Sequence, residues 1–304
     1  MKKLFFTLIL IFLVSFLVSC PNREPKSDKP VIITSIFPLA DIIRNIAGEE
    51  FDVIYLIKPG QDPHSFEPDP ETMINIKGSK LIFKVGFGFE FWLEQLLSSE
   101  STVIDLSENI TPIDSFHRHE TEHHHKNKAH SDNEMKDPHY WLSPKNILII
   151  IPGIESGLRN TFPGKSEVFE KNAALYTERI LELDKKFSDT ISPCPNRKYI
   201  AYHPAWLYLS RDYNLEMRGI LIHNPSQEPL PGHLAEIIDL MKDEDIHVIF
   251  SEKLAPANIP EIISNETGAK IILLDPLGGT GGIDSYIKLM EYNLQQIHEG
   301  ICGK

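Results

Sequence analysis

Four side chains able to bind a metal ion lie far apart in this chain, each in a short polar break beside proline or glycine. They are His64 in DPHSFEP, His139 in DPHYWLSP, His203 in YHPAW and Asp275 in LDPLGG. Three neutral imidazoles and one carboxylate make a complete ligand set for an ion of zinc's size and softness. Each is separated from the next by a fifth or more of the chain, so no local finger or helical motif can unite them. Only a folded body of two comparable halves can do so, with the ion held between two lobes.

The elements that must position these residues can be read from periodicity. Val31 to Ile36, Phe51 to Ile57, Lys80 to Val85 and Thr102 to Leu106 read as short buried strands. Helical patterns intervene at Pro38 to Ala47, Pro70 to Ile76 and Phe89 to Leu97. The second half repeats the scheme, with strands at Lys198 to Tyr202, Met217 to Ile222, His247 to Ser251 and Lys270 to Leu274. Its helices fall at Pro231 to Asp243, Ile259 to Glu266 and Ile283 to Gln296. Such alternation predicts an α/β fold, two lobes each with a mostly parallel sheet flanked by helices. Between them Phe169, Ala173, Tyr176, Ile180, Leu183 and Phe187 recur at three- and four-residue spacing, which predicts one long amphipathic helix over Ser166 to Thr190. A rod of this kind restricts how far two lobes can open.

In parallel sheets ligands sit beyond the carboxyl ends of the strands. His64, His203 and Asp275 each follow a predicted strand by a few residues, and His139 ends the polar loop after Thr102 to Leu106. Taken singly, each has an ordinary structural role available, a cap or hydrogen-bonded histidine, or an Asx turn before Pro276. Their joint placement singles them out. His223, His233, His247 and His298 lack it and are assigned to structure or surface.

The N-terminus has Lys2 and Lys3 followed by an apolar run from Leu4 to Val18, too short for a comfortable membrane span. The run ends in Leu17-Val18-Ser19-Cys20, which resembles a bacterial lipobox, and this implies lipidation at Cys20. The expected organisation is a signal peptide over 1–19, a lipidated tether over 20–30, an N-terminal lobe over 31–162, a linker helix over 163–191 and a C-terminal lobe over 192–304. With 30 basic against 43 acidic residues the chain is unsuited to nucleic acid and suited to cations. Cys194 and Cys302 can form one disulfide outside the cytoplasm or stand as two thiols, and sequence does not choose between them.

The dispersed segments PHSFEP, DPHYWLSP, YHPAW, EPLPGHLAEIIDLMKDEDIHVIFSE and ETGAKIILLDPLGG, in this order, are similar to those of the metal-binding receptor lipoproteins of bacterial zinc and manganese ABC importers. The resemblance covers nearly the whole mature chain. It implies metal ligands at His64, His139, His203 and Asp275, capture of the ion outside the cytoplasm, a lipid anchor in a bacterial membrane and delivery to an ABC permease. It also implies a binding protein acting as a monomer, without enzymatic activity. Histidine rather than carboxylate at His203 favours Zn2+ over Mn2+. Manganese or mixed specificity is the alternative, and a secondary adhesin role is compatible with either.

The stretch 107–136 carries His117, His119, His123, His124, His125 and His130 among charged residues. A tract without an apolar face can supply weak accessory metal sites or be a dispensable insertion. Within it His119-Glu120-Thr121-Glu122-His123 matches the HExxH pattern of zinc hydrolases, but nothing around it supplies the apolar face that such a helix needs. A hydrolase also requires three ligands, an open water position and a base, whereas this chain offers four ligands and no assigned base.

Overall fold

The computed structural model describes residues 28–115, 136–222 and 229–303. The leader, Cys20, most of the tether, the six tract histidines with their HExxH string and His223 lie outside the described residues. None of the described helices is long and apolar enough to cross a membrane.

The first four strands, β1 (Val31–Thr34), β2 (Asp52–Tyr55), β3 (Leu81–Lys84) and β4 (Thr102–Asp105), form a parallel sheet in the order β2-β1-β3-β4. The second half repeats it with β5 (Lys198–Ala201), β6 (Glu216–Ile220), β7 (Val248–Glu252) and β8 (Lys270–Leu274), in the order β6-β5-β7-β8. In each sheet the chain reverses its direction of winding beside the first strand, and such a switch point opens a crevice at the strands' carboxyl ends. In the second sheet that crevice lies between β5 and β7.

The helices around these sheets are α1 (Phe37–Ala47), α2 (Pro70–Gly78), α3 (Pro144–Thr161), α4 (Ser166–Ile191), α5 (Leu207–Tyr213), α6 (Pro231–Asp243), α7 (Asn258–Thr267) and α8 (Tyr286–Ile301). The strands and most helices fall where periodicity predicts them. The segment from Phe89 to Leu97 does not: it holds turns and a single 3-10 turn at Glu94–Leu96. Its apolar spacing looks helical, but Glu90 folds inward, where Oε1 accepts from the Val85 amide at 2.7 Å and Oε2 from the Gly86 amide at 3.1 Å. Ser35 Oγ donates to the same carboxylate. Helices α3 and α5 extend the predicted set. Pro152 and Gly153 interrupt the helical pattern of α3, yet Pro152 is accommodated inside it.

Helix α4, 26 residues long, buries Phe169, Ala173, Tyr176, Ile180, Leu183, Phe187 and Ile191, the predicted stripe extended by one residue. Asn172 donates to the Ile46 carbonyl at 3.1 Å in the first lobe, while Asp184 accepts from the Tyr213 hydroxyl at 2.8 Å in the second. The helix is therefore a packed spine along both lobes. One apolar core includes Ile32 and Phe83 of the first sheet, Trp141, the α4 stripe, Tyr199 and Phe250 of the second sheet and Tyr286 of α8. A second cluster around Ile200, Ile249, Ile237 and Ile263 fills the other face of the C-terminal sheet. Strand alternation explains the division, since Tyr199 and Ile200 leave β5 on opposite faces.

Two cysteines close the C-terminal end: Cys194, just past α4, is bonded to Cys302 at the end of α8.

Candidate metal centre

The two DPH tripeptides build the same local device. Asp62 Oδ1 accepts from the His64 amide at 2.9 Å, and Asp137 Oδ1 accepts from the His139 amide at 3.0 Å. Each aspartate thus closes a turn over its proline, with His64 inside the short 3-10 turn Pro63–Ser65 and His139 immediately before the 3-10 turn Tyr140–Leu142. His203 stands two residues past β5, where Pro204 follows it and the Ala205 amide donates back to the His203 carbonyl at 2.9 Å.

These three loops bring the three imidazoles into a nearly equilateral triangle. Ring centroids are 5.5 Å apart for His64 and His139, 5.6 Å for His64 and His203, and 5.2 Å for His139 and His203. One nitrogen from each lies within 4.8 Å of the others. His139 and His203 are buried, whereas His64 is half-buried and forms the outer edge. The cleft they line has a volume of about 120 Å³, shared with Phe89, Trp141, Tyr202 and Glu252. That holds an ion and a few waters at ~30 Å³ each, and falls well short of the ~300 Å³ of small-molecule pockets.

Two carboxylates that sequence reasoning did not single out complete the surroundings. Asp137 Oδ1 lies 2.6 Å from His139 Nδ1, and Glu252 Oε1 lies 2.5 Å from His203 Nδ1. Both nitrogens of His203, Glu252 Oε1 and Asp137 Oδ2 are buried without an aligned hydrogen-bond partner. Buried polar atoms are normally paired, so this cluster of borderline nitrogen and oxygen donors fits a cation. The repeated DPH string was the available signal for Asp137. For Glu252 it was position alone, an acid ending a fully buried strand.

Electrostatics separate the histidines. Burial, with added repulsion from His139 and His203, pushes His64 down to about 3, so it stands neutral and ready to bind. Burial also pulls His203 down, but the facing Glu252 carboxylate outweighs it and sets this imidazole above its ordinary value.

Asp275 lies outside the histidine group. It follows β8, is 6% exposed, and its main chain is clamped by Asn293, whose Oδ1 accepts from the Asp275 amide at 2.8 Å and whose Nδ2 donates to the Asp275 carbonyl at 2.7 Å. Oδ1 accepts from the Leu277 and Gly278 amides at 3.1 and 2.8 Å, an Asx turn, and Oδ2 accepts from Lys253 Nζ at 2.8 Å. The LDPLGG loop also seals the lobes. The Pro276 carbonyl accepts from Trp141 Nε1 at 2.9 Å, and Gly279, at φ 81°, packs where a Cβ would come within 3.2 Å of the Phe37 ring.

The chain matches the family model for zinc-uptake complex component A, periplasmic, over residues 32–300. The zinc-binding lipoprotein AdcA of Streptococcus pneumoniae is 30% identical over 309 aligned positions, covering 98% of this chain and 61% of that protein. This chain therefore spans about three fifths of that relative. The manganese-binding lipoprotein MntA of Halalkalibacterium halodurans is 26% identical over 311 positions, covering 99% of each. A crystal structure of ZnuA superposes with a TM-score of 0.79 at 29% identity, over 90% of this chain and all of that one. With this fold, a three-histidine cleft between its lobes and a family match over residues 32–300, the chain belongs to the metal-binding solute-binding proteins of zinc and manganese ABC importers.

Proposed function

We propose that this protein is an extracytoplasmic zinc receptor, tethered through a lipid on Cys20, that captures the ion and passes it to an ABC permease. The observation that carries the reading is the triangle of His64, His139 and His203, three imidazoles from loops of both lobes converging with ring centroids 5.2 to 5.6 Å apart. Three imidazoles select zinc over harder ions. Asp275 is the fourth ligand of the loaded state, which requires its carboxylate to leave Lys253. A full protein shell suits capture rather than hydrolysis, because a catalytic zinc keeps a position open for water. The histidine tract serves as a weak accessory collector.

Manganese is the second reading, favoured by the Asp275 carboxylate, whose neighbours Pro276 and Leu277 line the cleft, and by the manganese-binding name of the MntA relative. Purification without added metal, metal analysis, and competition between Zn2+ and Mn2+ for the tight site decide between the two. Zinc bound one per chain and retained against manganese is the expected result. Replacement of His203 by Ala should abolish it, and a variant retaining tight binding would overturn the ligand assignment.

A further inference from the structure

The end of β7 connects two of the proposed ligands. In the order β6-β5-β7-β8 this strand lies between β5, which leads to His203, and β8, which leads to Asp275. Its last residue, Glu252, approaches His203 Nδ1 at 2.5 Å, and the next residue, Lys253, reaches the other way to Asp275 Oδ2 at 2.8 Å. The Lys253 ammonium also lies 4.8 Å from the centroid of the Tyr292 ring, which holds it on the Asp275 side. Among the described residues Lys253 is the charged partner of Asp275, a carboxylate with 9% of its side chain exposed.

From this geometry we propose that Lys253 is a specificity-determining residue of the site, an internal cation that occupies Asp275 and must be displaced before a bound metal can use that carboxylate. The proposal rests on the receptor reading above. Its physical basis is competition between two cations for one carboxylate. While Lys253 holds Asp275, that carboxylate is withheld from an incoming ion, which meets the imidazoles of His64, His139 and His203 with Asp137 and Glu252 beside two of them, a nitrogen-rich set that suits zinc. An ion preferring oxygen, such as manganese, gains most from the carboxylate and is therefore penalised most by the ammonium. Removing Lys253 leaves the nearly buried carboxylate with the Leu277 and Gly278 amides on Oδ1 but without its cationic partner on Oδ2, and that charge then favours a cation able to reach it. The order of the strands makes the arrangement possible, because the Glu252-Lys253 dipeptide touches both ligand loops at once.

The test uses the full-length chain with chelator competition for Zn2+ and Mn2+ at the tight site. Lys253→Met should raise the ratio of manganese to zinc affinity about tenfold, within the range of ordinary coupling between sites. Lys253→Arg keeps the cation and should leave the ratio at the parent value. In an Asp275→Asn background, Lys253→Met should have no effect on the ratio. With its side chain 38% exposed, position 253 tolerates an uncharged residue, and Lys253→Gln provides a second variant. An unchanged ratio in both uncharged variants, or an equal rise with Asp275→Asn present, would overturn the proposal. His203→Ala, run alongside, reports on the receptor reading by itself. Loss of tight binding there together with a constant ratio at position 253 removes only the role of Lys253.

Discussion

His139 Nδ1 and Asp137 Oδ1 are 2.6 Å apart, two residues from each other in one buried turn. A carboxylate on Nδ1 fixes the tautomer and the ring orientation and leaves Nε2 as the donor that can bind an ion. The carboxylate is itself held by the His139 amide, which donates to Oδ1 at 3.0 Å, and the main chain of Asp137 is fixed by the Tyr208 hydroxyl, which donates to its carbonyl at 2.9 Å across the two lobes.

The first prediction follows from that pair. Asp137→Asn should keep the fold and weaken metal binding by about 10- to 100-fold, as loss of such an orienting partner typically does. Glu252→Gln should act similarly through His203. Chelator competition gives the affinity, and parent-like affinity in both variants would remove the orienting role.

Acid should destabilise the metal-free chain through His64. Its folded pKa of about 3 lies below the ordinary value of 6.5, so over that interval the unfolded chain binds more protons than the folded one. The contribution of His64 is thus intact above about 6.5 and is lost progressively as pH falls toward 3. His203, raised in the folded state, works in the opposite sense: its contribution is present at low pH and is lost as pH rises through its folded value. His64→Gln should therefore flatten the decline of thermal stability between pH 6.5 and pH 4 in chelator-treated protein. A variant with the parent's slope would contradict the assignment.

The Cys194–Cys302 bond closes a sequence separation of 108 residues. In the chain-entropy account a loop of about 100 residues gains ~4.7 kcal/mol from such a crosslink. Replacing both cysteines by serine should lower the thermal midpoint by several degrees and leave zinc affinity unaltered, because the bond lies at the end of α8 and contributes nothing to the cleft. Calorimetry and zinc competition on the same variant test the two halves of this expectation.

Metal loading should change the lobe arrangement little. The core is continuous through α4 and both sheets, and the lobes are tied by Trp141 to Pro276 and by the Tyr286 hydroxyl to the Trp141 carbonyl at 2.9 Å. Wide opening would expose that apolar contact to water and leave buried hydrogen-bonding groups unpaired. Small-angle scattering with and without zinc should give nearly the same radius of gyration, and a large decrease on binding would show that the spine does not restrain the lobes.

What the sequence determined alone is the part of the structure written in local periodicity. Short apolar runs and the α4 stripe report burial along one element, and the proline-flanked breaks report strand ends, so both sheets and the three histidine loops were legible. Local pattern misplaced a helix at Phe89 to Leu97 because the inward turn of Glu90 depends on amides of Val85 and Gly86 and on Ser35, just past the end of β1. Tertiary structure alone decided which side chains meet: Glu252 with His203, Lys253 with Asp275, and Cys194 with Cys302. The reason is that burial is encoded residue by residue along the chain, whereas the contact of one carboxylate with one cation depends on strand order, which places β7 between two strands distant from each other in sequence.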